Sequence, residues 1–91
     1  MTTFDPNRAW SLHHQVAVRP EPFGALLYHF GTRKLSFLKD RTLLEIVRSL
    51  DEQPTARDAI AAAGVGTADA DRYVGALQTL ASSEMVVEQQ D

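Results

Sequence analysis

The chain has 91 residues, a formal net charge of −3 and no cysteine. This length suits one domain with one hydrophobic core, and the lack of cysteine excludes disulfides and thiolate chemistry. No apolar run approaches the roughly 20 residues of a membrane span, and the N-terminus lacks the features of a signal peptide, so a cytoplasmic location is expected.

The charge is distributed unevenly along the chain. Residues 1–50 carry seven basic and four acidic side chains, whereas residues 51–91 carry two basic and eight acidic ones. Such asymmetry indicates either a charged partner on one face or an ordinary solvated surface, and the sequence leaves both interpretations open.

The N-terminal part of the chain changes character at Trp10. Residues 1–9 are polar and predict a loose arm, which leaves residues 10–91 as the folded domain. Between Trp10 and Arg19, apolar and polar residues alternate, which predicts one half-buried strand. Proline cannot donate to a strand ladder, so we expect this strand to end at "RPEP", residues 19–22.

Two further apolar segments predict the second and third strands of a small antiparallel sheet. They are "GALLYHF" over residues 24–30 and "KLSFL" over residues 34–38. Gly31 lies between them and is expected to adopt the positive φ of a tight hairpin turn.

After residue 39 the apolar spacing becomes helical. Three helices are predicted, with N-caps at Asp40, Thr55 and Thr67. The first helix must stop before Pro54, and Gly64 suits the left-handed position that follows the second helix.

The third helix is expected over residues 68–83, and residues 84–90 can form a short final strand. The resulting fold class is α+β. A three-stranded antiparallel sheet followed by three helices predicts a winged helix-turn-helix-like domain.

The candidate catalytic and metal-binding residues do not form a recognisable site. His13 and His14 are adjacent on a predicted strand, so we expect their side chains to point to opposite faces, and His29 alone cannot complete a zinc site. No nucleophile elbow or phosphate-binding loop is present. The sequence therefore predicts neither a metal, nor a cofactor, nor an enzyme.

A winged-helix fold suggests a DNA-binding regulator as the main alternative. In that architecture the third helix enters the major groove and contacts phosphates through basic side chains. Here that helix begins "ADADR", with two acids and one arginine. We therefore expect no nucleic-acid partner. A third possibility is a structural subunit that stabilises a larger enzyme.

The third predicted strand is the candidate binding element. An edge strand can accept an extended peptide as an additional strand, and side-chain pockets then select its sequence. Aspartate at Phe37 or proline at Ser36 is expected to weaken such binding. Arg33 and Lys34, with Lys39 and Arg41 nearby, form a basic cluster that fits a nucleic-acid wing, an acidic-peptide site or protection of the strand edge.

The segment from Trp10 to Lys39, "WSLHHQVAVRPEPFGALLYHFGTRKLSFLK", resembles the precursor-peptide chaperones of mycofactocin biosynthesis (the MftB family). These belong to the PqqD-like RiPP recognition elements, and the resemblance extends to about Val87. General PqqD-like proteins often have asparagine after the third strand. This chain has Lys39 there, which favours the mycofactocin branch.

The resemblance implies a non-catalytic protein that binds the leader of a ribosomally made precursor peptide and presents it to a radical SAM maturase. The iron–sulfur cluster and S-adenosylmethionine would belong to that partner. In related proteins the leader lies along the third strand, in the cleft beside the third helix. The implied peptide-binding residues are Arg33, Lys34, Leu35, Ser36, Phe37, Leu38, Arg72, Tyr73, Ala76, Leu77 and Leu80.

Overall fold

The structure, a computed structural model, describes residues 4–89. In chain order, the elements within that range are β1 (Trp10–Leu12), β2 (Val16–Glu21), β3 (Gly24–His29), β4 (Leu35–Leu38), α1 (Arg41–Ser49), a 3₁₀ helix (Leu50–Glu52), α2 (Ala56–Ala62), α3 (Thr67–Ser82) and β5 (Val86–Glu88). The predicted α+β class is confirmed, because an antiparallel three-stranded sheet is followed by three helices.

The described strands form two separate sheets. One sheet has the order β2-β3-β4, and the other pairs β1 with β5 at the two ends of the described chain. The predicted final strand therefore exists at Val86–Glu88, while residue 90 of that prediction lies outside the described residues.

The prediction of one strand from Trp10 to Arg19 is wrong, because the chain turns between β1 and β2. The main-chain N–H of Val16 donates to the His13 carbonyl at 2.9 Å, and the N–H of Gln15 donates to His13 Nδ1 at 3.0 Å. A side-chain acceptor of this kind offers the backbone an alternative to the strand ladder. The turn sends β1 to β5 and leaves β2 with β3.

The expected strand end within residues 19–22 is confirmed, since β2 ends at Glu21, although the strand passes through Pro20. Pro20 lies opposite Ala25 in the ladder. The Phe30 N–H donates to the Gln15 carbonyl, and bonded pairs alternate with non-bonded pairs along an antiparallel ladder. Tyr28 and Leu26 are therefore the next residues of β3 that bond to β2, and Ala25 is not. The missing donor of Pro20 therefore faces away from β3, where an outer strand tolerates proline.

The turn between β3 and β4 does not use Gly31 as predicted. Arg33 is the residue with positive φ, at 62°, and its N–H donates to the His29 carbonyl at 2.7 Å. Gly31 is constrained in a different way, because a Cβ there would lie 2.9 Å from the buried His29 ring and would also displace the flexible end of Gln15.

The helix boundaries follow local capping interactions. Asp40 accepts a hydrogen bond from Thr42 N–H at 2.8 Å, and Thr55 accepts one from Asp58 N–H at 3.1 Å, as predicted for N-caps. Gly64 follows α2 with φ of 86°. The predicted cap at Thr67 is wrong, since Gly66 is the N-cap and α3 begins at Thr67 itself.

One core joins the helices to the inner faces of both sheets. Its largest fully buried side chains include Trp10, Leu27, Ile46 and Leu77. The predicted loose arm is packed over residues 4–9: Phe4 is buried against Trp10, whose indole N–H donates to the Asp5 carbonyl at 2.7 Å. Residues 1–3 of that prediction lie outside the described residues.

Between Phe4 and Gln89, none of the helices combines the length and the apolar character that crossing a bilayer requires.

Candidate functional site

Strand β4 is an outer strand of the three-stranded sheet. It pairs with β3 alone, in an antiparallel register that places Leu26 opposite Phe37 and Leu27 opposite Ser36. Within the part of the chain that the structure describes, no strand pairs with the other side of β4. An unpaired edge of this kind can template the addition of another strand.

The hydrogen-bond pattern shows which main-chain groups of β4 are free. His29 N–H donates to the Lys34 carbonyl at 3.0 Å, so this position is a bonded pair of the β3–β4 ladder. Bonded and non-bonded pairs alternate in antiparallel ladders, which makes Ser36 and Leu38 the next positions bonded to β3. The N–H and C=O groups of Leu35 and Phe37 therefore point to the open side.

This register corrects the expected effect of proline at Ser36. The Ser36 N–H faces Leu27 in β3, so proline there would break the sheet rather than remove a donor from the open edge. The positions at which a missing donor affects only the open edge are Leu35 and Phe37.

A shallow groove of about 360 Å³ lies between β4 and α3. It is lined by Ser36, Phe37, Leu38, Leu43, Ala76, Thr79 and Leu80. Five of these belong to the predicted set, whereas Leu43 and Thr79 were not predicted. Thr79 lies three residues after Ala76, so the helical repeat could have indicated it. Leu43 lies in the first turns of α1, which the short connection from β4 keeps beside the strand.

Three of the predicted helix residues, Arg72, Tyr73 and Leu77, do not line the groove, and two of them are buried. Leu77 is fully buried, and Tyr73 is buried with its hydroxyl donating to Asp40 Oδ2 at 2.5 Å. This hydrogen bond lowers the pKa of the Asp40 carboxyl and raises the pKa of Tyr73. Because Asp40 also caps α1, the pair joins α3 to the residues that follow β4.

Arg72 is exposed next to this pair. Its guanidinium lies 5.0 Å from the centre of the Tyr73 ring, and Nη2 donates to the Tyr73 hydroxyl at 3.3 Å. These contacts place a positive charge on α3 close to Asp40, and they give Arg72 a structural role.

Arg33 and Lys34 are both exposed at the start of β4. Arg33 closes the turn through its positive φ, and the Lys34 N–H donates to Thr32 Oγ1 at 3.3 Å. Their side chains place two positive charges at one end of the open edge.

The three histidines lie closer together than the sequence predicts. His13 and His14 stack with ring centres 4.5 Å apart, because both lie in the turn between β1 and β2 and not on a strand. His29 lies 4.3 Å from His13, and its Nδ1 accepts hydrogen bonds from the N–H groups of Gly31 and Thr32. Partial burial, with the charges of His29 and His14, lowers the pKa of His13.

No three side chains among the described residues converge in a way that could hold a metal ion. The Nδ1 atom of His29 already accepts the two backbone hydrogen bonds from the turn, and its Nε2 atom is buried. The cluster therefore organises the β3–β4 turn.

Fold and site together define a small α+β domain that has an open strand edge beside an apolar groove on its last long helix. The model of the peptide chaperone MftB family matches residues 9–87, and the chain belongs to this family.

Curated relatives agree with this assignment. A protein of Mycolicibacterium smegmatis named peptide chaperone MftB is 64% identical over 85 residues, which cover 93% of this chain and 83% of the relative. Proteins of the same name from Mycobacterium ulcerans and Mycobacterium tuberculosis are 63% and 62% identical over 87 residues, or 96% of this chain and 80% of each relative. The family role is non-catalytic, as predicted. No solved structure matches the chain.

Proposed function

We propose that this protein is a cytoplasmic peptide chaperone that binds the leader of a ribosomally made precursor peptide as an additional strand on β4. It then delivers the precursor to a radical SAM maturase of mycofactocin biosynthesis. Family membership and the name of the relatives, peptide chaperone, support the peptide-chaperone role. The observation that carries the binding mode is the open edge of β4, next to the groove against α3.

Main-chain hydrogen bonds alone do not account for useful affinity. Leu35 and Phe37 offer four groups, and each hydrogen bond contributes about 0.5–1.5 kcal/mol net. A micromolar complex requires about −8 kcal/mol. Apolar contacts in the groove and attraction by cations must supply the remainder.

The geometry of an added strand distributes its side chains between two environments. Alternate residues of a strand point to opposite faces. One set would enter the groove and contact Leu43, Ala76 and Leu80, and the other would lie beside the exposed side chains of Leu35 and Phe37. We therefore expect a leader with apolar residues on alternating positions, and with acidic residues near Arg33 and Lys34.

The alternative of a DNA-binding regulator has less support. The exposed surface of α3 carries Asp69 and Asp71 in its first turns, where phosphate contact would require basic side chains. A mobility-shift assay with duplex DNA tests this alternative directly. Pull-down of the maturase in the absence of any peptide tests the third possibility, a purely structural subunit.

Amide hydrogen exchange with the full precursor peptide tests the binding mode. The amides of Leu35 and Phe37 should gain protection when the peptide binds, because they point to the open side. The Ser36 amide, already bonded to β3, should change little.

A matched pair of α3 variants tests the groove. Ala76→Glu should weaken peptide binding by about tenfold or more, because a carboxylate would be desolvated against apolar groove residues. Gln78→Glu adds the same charge at an exposed position and should bind like the parent. Equal affinity of both variants, with unprotected Leu35 and Phe37 amides, would rule out this site.

A further inference from the structure

The four most exposed large apolar side chains of the described residues all lie on the side of the sheet that faces away from the core. They are Phe23, Phe30, Leu35 and Phe37, with 46%, 61%, 53% and 60% of their surface exposed. Together with the half-exposed Leu26 and Tyr28 they form what we call the outer sheet face.

The strand register explains why these side chains meet. Residues directly opposite in a ladder point to the same face, so Leu26 joins Phe37, and Tyr28 joins Leu35. Phe30 contacts the Tyr28 ring edge-to-face, with centres 4.9 Å apart, and Phe23 lies 6.2 Å from Phe37. The residues of β3 that alternate with these along the strand point to the opposite side and pack in the core.

This apolar surface is unusual for a protein that works alone. Single exposed apolar residues are common, but contiguous patches of this kind mark interaction sites. Aromatic side chains are enriched at protein interfaces, where they contribute much of the binding energy. Here the rings already pack in pairs on a sheet, so little conformational entropy is lost on docking.

The charges around the outer sheet face indicate what kind of surface it fits. Exposed basic side chains lie on it or at its edges: Arg19 is opposite Leu26, Arg33 and Lys39 flank β4, and Arg41 reaches the Pro22 carbonyl at 3.5 Å. The acidic residue on this face of β2, Glu21, is paired with Arg19 at 3.1 Å. A two-fold dimer through this face would bring these cations together and is disfavoured. A partner with an apolar centre and an acidic rim is complementary.

We propose that the outer sheet face docks the maturase, through a maturase surface that has an apolar centre and an acidic rim. This inference rests on the proposed function. Strand β4 then serves both partners, because its open edge binds the leader and its outward side chains contact the enzyme. The bound peptide would lie at the border of the protein–protein interface, which explains how a protein without catalytic residues can hand over a substrate.

Variants away from the open edge separate the two surfaces. Phe30→Glu should weaken maturase binding by about tenfold or more. The variant loses an apolar side chain that the complex would bury, and its negative charge would be repelled by the acidic rim of the maturase. Its affinity for the precursor peptide should stay within about twofold of the parent. Phe30→Ser, which removes the ring without adding charge, should give a smaller loss in the same direction.

Ala76→Glu, in the groove, serves as the reciprocal control. It should lose peptide binding while it binds the maturase as the parent does. Titration calorimetry of each variant with purified maturase and with precursor peptide gives both affinities, and circular dichroism confirms the fold.

Several outcomes overturn the inference. The inference fails if Phe30→Glu binds the maturase with the affinity of the parent. It also fails if the parent protein binds the peptide but not the maturase, and in that case the proposed peptide site would still stand. Sedimentation of the protein alone measures self-association, and co-sedimentation with phosphatidylserine vesicles measures membrane binding. If Phe30→Glu abolishes self-association or vesicle binding and leaves maturase affinity unchanged, the face serves a second copy or a membrane instead.

Discussion

At the scale of single residues, the structure shows which main-chain N–H groups of β4 point to the open edge, and the sequence alone does not. Ser36 and Phe37 are adjacent in an outer strand, yet one donates its N–H to β3 and the other directs it to the open side. Sequence alternation predicted the strand but not this direction, because the register depends on the turn. That turn is held by the imidazole of His29, which accepts two backbone hydrogen bonds.

Two proline variants test this distinction. Leu35→Pro removes a donor that faces the open edge, so the protein should remain folded while peptide affinity falls by about two- to tenfold, the value of one hydrogen bond. Ser36→Pro removes a ladder bond and should lower the free energy of unfolding by about 3 kcal/mol or more. Chemical denaturation and calorimetry measure the two effects. A stable Ser36→Pro protein that has lost peptide binding would show that the register is the reverse.

At the scale of elements, the sequence predicted the three helices well and the strand pairing less well. The helix signals are local: Asp40 and Thr55 cap their own helices, and Gly64 ends α2. The pairing of β1 with β5 joins the two ends of the described chain, and no local pattern encodes it. The groove was predicted in part, because its residues and core residues occupy neighbouring stripes of the same helix.

The division of α3 into core and groove stripes leads to a stability prediction. Leu77 is fully buried, so Leu77→Ala should lower the free energy of unfolding by about 2–5 kcal/mol. Gln78→Ala, at an exposed position one residue along, should change it by less than about 0.5 kcal/mol. Urea denaturation provides the comparison. A loss of less than about 1 kcal/mol in Leu77→Ala would mean that Leu77 faces the groove, as the resemblance alone implied.

At the scale of the whole molecule, the charge asymmetry has a structural location. The positive half of the sequence contains the sheet, with its open edge and outer face, and the negative half contains α2 and α3. Since α3 forms one wall of the groove, a leader bound there as we propose would approach between a basic strand end and an acidic helix surface. This arrangement favours one orientation of a peptide whose charge is concentrated at one end.

Salt dependence tests whether this field guides binding. If the leader has acidic residues beside Arg33 and Lys34, raising the salt concentration from about 0.05 to about 0.5 M should slow association by roughly tenfold, because screening shortens the range of the attraction. Lys34→Gln should lower affinity by about 1.5- to 5-fold at low salt, as for an exposed ion pair. Arg57→Gln removes the same charge from α2, which does not line the groove, and should have little effect. Stopped-flow fluorescence with labelled precursor peptide measures the rates. Salt-independent association, or equal losses in both variants, would reduce the basic cluster to protection of the strand edge and leave apolar contacts as the source of selectivity.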